Sequence, residues 1–205
     1  MKAGFNLLLW TTHVGAAHFP LLEMLKATGY DGIEIPVFEG SAAHYAEVAR
    51  AVRDNGLACT AATVLPDAAH SAISPDPASR HGALDHFAWA IECSFALGSE
   101  VLCGPFHQPL GQFSGAGPSE AEKAWAAEVH RRAAEMAADA GLVLAIEPLN
   151  RFECYFLNTM ADARAHARRV DHPNFGVLYD TFHANIEEKD PVGCIAEAAE
   201  VIRHV

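Results

Sequence analysis

The stretch LVLAIEPLNRFE, residues 142–153, determines how the rest of the chain is interpreted. Its apolar run begins after Gly141 and ends at Glu147-Pro148, which is typical of a short, fully buried strand in a parallel sheet. Because Pro148 restricts the preceding residue to extended backbone, Glu147 is predicted to stand at the end of that strand. A carboxylate buried there costs free energy unless a cation accompanies it.

A second stretch, VLYDTFHANIEE at residues 177–188, repeats this arrangement, and its apolar run ends at Asp180. The separation between Glu147 and Asp180 fits one strand–helix–strand unit, so the two carboxylates are predicted on neighbouring strands at one edge of the sheet. Together they indicate a divalent-metal site. The alternative is that each acid caps the helix that follows it or pairs with a basic residue.

Short apolar runs alternate with longer amphipathic runs along the chain, which is the pattern of parallel strands joined by crossover helices. Six strands are predicted, at residues 2–8, 32–37, 57–64, 100–104, 142–147 and 174–180. Helices are predicted at residues 17–28, 41–55, 77–97, 119–140, 159–170 and 191–203, with Ser41 and Ser119 as caps. The chain is therefore predicted to be one α/β domain over residues 1–205.

Composition narrows the range of partners. With 205 residues and 51% hydrophobic content the chain can bury one core, while a net charge of −12 disfavours nucleic acid and anionic membrane surfaces. No apolar stretch reaches the about 18 residues of a membrane span, and the first residues carry no cleavable signal pattern. Five scattered cysteines indicate reduced thiols and a cytoplasmic location. A small neutral substrate suits this charge.

The motifs EPLNRFE and YDTFHANIEE resemble the two signature stretches of the D-tagatose 3-epimerase / D-psicose 3-epimerase group, within the sugar isomerase/epimerase family. The resemblance covers the whole chain and includes the order and separation of the two motifs. It implies a xylose-isomerase-like TIM barrel, which in its complete form has eight β/α units. Since about six units are visible, the C-terminal part of the barrel is expected to be missing, and with it a liganding His after Val205 and a liganding Glu on strand eight.

The resemblance also implies a reaction and its residues. The family moves a proton at the carbon next to a ketone, through an enediolate, and so epimerises a ketose at C3. Glu147 is expected to act in catalysis and to bind the metal with Asp180, while His183 and Glu153 are expected to bind the sugar substrate. The expected cofactor is a divalent metal, Mn²⁺ first, with Mg²⁺ or Co²⁺ as alternatives.

Three further residues are expected to bind substrate because they lie on or after strands one and four, at the same rim of the barrel. They are Asn6, Trp10 and His107. For the aromatic residue, a place in the core is the alternative. Glu34, which ends strand two, is expected to have a structural role. The remaining histidines are expected to be solvated on helices or loops: His18, His44, His70, His81, His86, His130, His166 and His172.

Other functions remain open on the sequence alone. An aldose–ketose or hydroxypyruvate-type isomerase would use the same metal and the same intermediate, but would move the carbonyl group. A non-catalytic sugar-binding domain would bind its ligand without metal. A nucleic-acid endonuclease on the same barrel is disfavoured by the acidic charge. Association into a homo-oligomer is expected.

Overall fold

The computed structural model describes residues 2–205, and its seven strands form one parallel sheet in chain order. The strands are β1 Gly4–Asn6, β2 Gly32–Pro36, β3 Ala58–Ala62, β4 Val101–Gly104, β5 Val143–Ile146, β6 Phe175–Leu178 and β7 Ile202–His204. The sheet curves so strongly that His204 Nε2 on β7 lies 2.8 Å from Glu34 Oε2 on β2. This is the geometry of a barrel wall, and the predicted α/β barrel fold is confirmed.

Helices connect the strands. They are α1 Phe19–Thr28, α2 Ala42–Asp54, α3 Pro77–Leu97, α4 Glu120–Asp139, α5 Met160–Val170, α6 Thr181–Glu187 and α7 Gly193–Ala198. The predicted caps are confirmed: the Ser41 hydroxyl accepts a hydrogen bond from the backbone N–H of His44, and Ser119 forms a capping box with Glu122. None of these helices within residues 2–205 is long and apolar enough to cross a membrane.

The helix predicted at residues 191–203 is wrong in its second half. Helix α7 ends at Ala198, and the chain then turns and pairs with β6 as a seventh strand. The backbone N–H groups of Val177 and Tyr179 donate to the carbonyls of Val201 and His204. A helix continued to residue 203 would leave these two groups of β6 without those partners, which is costly for buried backbone. Seven strands are therefore present, where six were predicted.

The two faces of the sheet carry different side chains. Large residues on the outer face pack against the helices, for example Leu144 and Ile146 of β5. Smaller residues occupy the inner face, where Ala62, Cys103 and Ala145 are register neighbours on β3, β4 and β5. Because side chains alternate along a strand, Glu147 shares the inner face with Ala145. The small inner side chains leave room for a cavity.

Two of the histidines expected to be solvated are buried between helices and sheet, so that expectation is wrong for His130 of α4 and His166 of α5. Their ring nitrogens, His130 Nδ1 and His166 Nε2, lie 2.7 Å apart, and His130 Nε2 lies 3.1 Å from the carbonyl oxygen of Phe106. Burial lowers the pKa of His130 to about 4, and it also holds the pKa of His166 well below its usual value. Both rings are therefore neutral at pH 7.

Candidate active site

A cavity of about 320 Å³ opens on the inner face of the sheet, at the carboxyl ends of the strands. The carboxylates of Glu34, Glu147 and Asp180 all line it, and none of the described residues in its wall is Lys or Arg. Active sites of barrels of this kind lie at this end of the strands. Three carboxylates with no basic side chain in the same wall make the cavity attractive to cations.

The two carboxylates singled out in the sequence lie side by side. Glu147 directly follows β5, where its backbone N–H donates to the carbonyl of Gly104 on β4. Asp180 caps α6 through Oδ1, which accepts a hydrogen bond from the Phe182 N–H at 2.6 Å. The capping alternative therefore accounts for one oxygen of Asp180. The other, Oδ2, lies 3.8 Å from His183 Nε2, which is itself 3.7 Å from Glu147 Oε1.

Several carboxylates lie close to Glu147. Burial raises the pKa of Glu147 to about 9, and the neighbouring Asp180 carboxylate adds to the shift, with smaller contributions from Glu34 and Glu153. Without a cation, the carboxyl group of Glu147 thus keeps its proton at neutral pH. A divalent cation would replace that proton, because it compensates both carboxylates at once.

The orientation of His183 follows from its contact with Asn150. The backbone N–H of Asn150 donates to His183 Nδ1 at 3.2 Å, so this nitrogen carries no proton. The proton of the neutral ring is therefore on Nε2, which faces Glu147 and Asp180. A protonated Nε2 donates hydrogen bonds and cannot bind a metal. This geometry favours the substrate-binding role expected for His183 over a role as metal ligand.

Glu153 is linked to His183 through Asn150. The side-chain Nδ2 of Asn150 donates to Glu153 Oε1 at 2.6 Å and lies 3.0 Å from His183 Nδ1. Neither Glu153 nor His183 belongs to the cavity wall itself. Glu153 is therefore placed to orient His183 indirectly.

The other three expected substrate residues occupy different environments. Asn6 lines the cavity, and its side-chain amide donates to Glu34 Oε1 at 2.9 Å. Trp10 is outside the cavity wall, 45% exposed, and its ring packs against Phe5. His107 is fully buried against Phe156, and neither of its ring nitrogens has a hydrogen-bond partner among the described residues. The structure thus brings only Asn6 to the cavity.

Glu34 forms a second polar cluster in the same wall, which the sequence did not reveal. Its Oε2 accepts hydrogen bonds from Thr60, Cys103 and His204 at 2.9, 3.0 and 2.8 Å. Burial by itself would raise the pKa of Glu34, but the hydrogen bonds, that of His204 first, lower it below its usual value. Glu34 lies inside β2 and not at its end as expected, so its signal in the sequence was an acid between two buried apolar residues, Ile33 and Ile35.

The residues present fit a divalent metal at the first cluster. One carboxylate oxygen each from Glu147 and Asp180 lie within 4.8 Å of one another, and His183 Nε2 lies beside them as a hydrogen-bond donor. Two carboxylate oxygens are hard ligands of the kind that Mg²⁺ and Mn²⁺ bind. The pKa of Glu147 is raised first by burial and then by the adjacent Asp180 carboxylate, and a divalent cation held by both groups would offset both effects.

Comparison with known proteins agrees with this geometry. Residues 22–205 match the family model described as xylose isomerase-like TIM barrel. The ketose 3-epimerase of Arthrobacter globiformis is 30% identical over all of this chain and 71% of its own length, and the D-psicose 3-epimerase of Agrobacterium fabrum is 31% identical over all of this chain and 72% of its own. The structure of D-allulose 3-epimerase from Methylomonas sp. in complex with D-allulose superposes with a TM-score of 0.91 at 27% identity, covering all of this chain and 71% of that one. The chain belongs to the xylose isomerase-like TIM barrel family and, within it, to the sugar epimerases and isomerases.

Proposed function

We propose that the chain catalyses the metal-dependent epimerisation of a ketose at C3 by proton transfer. The observation that carries this proposal is the arrangement of Glu147, Asp180 and His183 where β5 and β6 end, with two carboxylates and an Nε2–H directed to one point. Proton transfer next to a carbonyl needs a base of this kind, and a positive charge beside the oxygens of the substrate.

Glu147 and Asp180 would hold the metal, with Mn²⁺ the first choice and Mg²⁺ or Co²⁺ as alternatives. When bound, the metal supplies positive charge that stabilises the negative charge developing on the substrate oxygens. Glu147 would also take or return the proton at the reacting carbon, because its carboxylate stands in the cavity wall at the end of β5, where the substrate would lie.

His183 and Asn6 would hold the sugar. The Nε2–H of His183 donates to a substrate oxygen beside the reacting carbon, and Glu153 keeps the ring in place through Asn150. Asn6, in the cavity wall, contacts a hydroxyl group. Trp10 and His107 have no part in this proposal, because Trp10 is 45% exposed beside Phe5 and His107 is fully buried against Phe156, and among the described residues neither side chain hydrogen-bonds to the side chain of Glu147, Asp180 or His183.

The cavity favours a small, uncharged sugar. A volume of about 320 Å³ suits a monosaccharide. Three carboxylates in a wall without Lys or Arg disfavour a phosphorylated substrate, since an anion would meet like charge. The substrate class is accordingly a free ketose of the D-psicose, D-tagatose or D-fructose type.

The test is turnover of D-tagatose, D-fructose and D-psicose by chain stripped of metal with a chelator and then supplied with Mn²⁺. C3 epimers that form only after Mn²⁺ is added support the proposal. A product in which the carbonyl has moved would replace epimerisation with aldose–ketose isomerisation. Sugar binding that is independent of metal, with no turnover, would indicate a non-catalytic sugar-binding domain instead.

Two further expectations belong to this proposal. The five cysteines are all free thiols, which supports a location in the reducing cytoplasm. Association into a homo-oligomer stays a prediction, and size-exclusion chromatography with light scattering would test it.

A further inference from the structure

Glu34 accepts four hydrogen bonds, and neither of its carboxylate oxygens has a role in the proposed reaction. Three of the donors share a single oxygen: Thr60 Oγ1, Cys103 Sγ and His204 Nε2 surround Oε2 at 2.8 to 3.0 Å. The other oxygen, Oε1, accepts from Asn6. These donors come from β1, β3, β4 and β7, so the curvature of the sheet is what gathers them around a carboxylate on β2.

We propose that Glu34, Cys103 and His204 form a second cation site, selective for Zn²⁺ or a similar thiophilic metal and distinct from the Glu147–Asp180 pair. One ligand atom from each of the three residues lies within 4.8 Å of the others. All three residues line the cavity, so a cation and a water ligand can enter from it. This site adds to the function proposed above and does not depend on it.

The ligand types distinguish the two sites. Thiolate, imidazole and carboxylate together are a set that binds Zn²⁺, whereas two carboxylates favour Mn²⁺ or Mg²⁺. Zinc–ligand bonds of about 2.0 to 2.3 Å place the atoms of a tetrahedral site roughly 3.3 to 3.7 Å apart. Cys103 Sγ and His204 Nε2 would therefore each move away from Glu34 Oε2 by less than about 1 Å when the metal binds.

The exchange of protons for metal balances. In the metal-free state the thiol proton of Cys103 and the ring proton of His204 both point at Glu34 Oε2. The cation would take the place of these protons, between the three ligand atoms. On binding, the thiol proton leaves to solvent, and the ring of His204 keeps one proton by carrying it on Nδ1. Two negative ligands, the carboxylate of Glu34 and the thiolate of Cys103, then balance the charge of one divalent cation.

The charge of the cavity wall also supports a second cation site at Glu34. Three carboxylates face one space, and no Lys or Arg among the described residues of the wall compensates them. A single divalent cation at Glu147 and Asp180 would leave the carboxylate of Glu34 stabilised by its hydrogen bonds alone. A second cation at Glu34 would give that partly buried carboxylate a counter-charge as well.

Co²⁺ provides a direct probe, because a bond between cobalt and thiolate sulfur produces a charge-transfer absorption band in the near ultraviolet. Metal-free chain, kept reduced, is titrated with Co²⁺ and the band is followed. The proposal predicts one thiolate-bound Co²⁺ per chain, displaced by Zn²⁺. The Glu147–Asp180 pair contains no sulfur, so Co²⁺ bound there is silent in this band.

Variants assign the band to its residues. Cys103→Ser should remove it, and Cys59→Ser, which changes a thiol on β3 whose Sγ lies 3.6 Å from the Leu97 carbonyl oxygen, should leave it unchanged. Glu147→Gln should also leave it unchanged, which separates this site from the proposed catalytic one. Circular dichroism confirms that each variant is folded.

Two results would overturn the proposal. Absence of the band in the unaltered chain at saturating Co²⁺ would mean that Glu34 only accepts hydrogen bonds. A band that survives in Cys103→Ser would assign the metal to another thiol. Because the first result needs no variant, the test holds even if Cys103→Ser fails to fold.

Discussion

His183 Nδ1 accepts a hydrogen bond from the backbone N–H of Asn150 at 3.2 Å, and this contact fixes which nitrogen of the ring carries the proton. The loop after β5 thereby sets the tautomer of His183, which belongs to α6. The Asn150 side chain extends the link to Glu153 at 2.6 Å. Since the main-chain bond survives the substitution of Asn150 by any residue other than proline, the contribution of the side chain can be tested by itself.

Replacing Asn150 with Ala should lower kcat/KM about tenfold, because the ring of His183 and the carboxylate of Glu153 lose their common partner and a small misplacement of catalytic groups is costly. Steady-state kinetics with D-psicose measures this. Asn185→Ala, at an exposed position of the same helix α6, is the control and should be neutral. An unchanged kcat/KM in Asn150→Ala would show that Glu153 does not orient His183.

Glu147→Gln should reduce turnover at least about 100-fold, since an amide cannot exchange the substrate proton. It should not reduce stability in metal-free conditions, because the carboxyl group it replaces is already protonated at neutral pH. Turnover and urea unfolding of the same preparation check both expectations. The exposed Glu128→Gln of α4 serves as the matched control. Retained turnover in Glu147→Gln would remove Glu147 from the mechanism.

The buried histidines should make the fold sensitive to acid. The pKa of His130 is about 4 in the folded chain, against an ordinary value of 6.5, so the unfolded chain binds more protons between these two values. The contribution of neutral His130 to the free energy of unfolding is therefore fully present above pH 6.5 and is lost as the pH drops toward 4. The loss for His130 is about 2 kcal/mol at pH 5.

Urea unfolding at pH 7 and pH 5 measures this loss. In His130→Gln the difference between the two pH values should shrink, because a titrating group has been removed. His81→Gln changes a histidine whose side chain is 70% exposed and should leave the difference unchanged. Equal stability at both pH values in the unaltered chain would contradict the prediction.

Gly104→Ala should destabilise the chain by more than about 2 kcal/mol, because residue 104 has a φ of +132° and a Cβ there would clash with the carbonyl oxygen of Thr63. Gly104 also lines the cavity, so the strain falls at the site. Gly15→Ala is the control, since its φ is −144° and nothing lies within 4 Å of the added methyl. Thermal unfolding measures the melting temperatures of Gly104→Ala and Gly15→Ala. Equal values would contradict the prediction that a side chain at residue 104 strains the backbone.

The strand and helix positions were predictable where the local signals agreed. Helix α3, Pro77–Leu97, begins and ends where Pro77 and Gly98 indicate, and the apolar run before Glu147 forms β5. The prediction failed at residues 199–204. There the local pattern does not distinguish helix from strand, and hydrogen bonds to β6 decide the outcome.

The candidate site, like the fold, was predictable only in part. The neighbouring positions of Glu147 and Asp180 were predictable, because consecutive parallel strands place the residues at their carboxyl ends at one rim. The burial of His107, and its absence from the cavity wall, was not predictable. Whether a loop residue points into the barrel or into the helix layer depends on packing against distant residues such as Phe156.

The sequence by itself determined the alternation of strands and helices and the pair of carboxylates at one rim, because both follow from apolar runs and strand spacing within a few tens of residues. Only the tertiary structure decided that His204 meets Glu34 across the sheet and that His130 meets His166 beneath it. These contacts join residues far apart in the chain. They depend on the accumulated twist of seven strands, and no local pattern encodes that curvature.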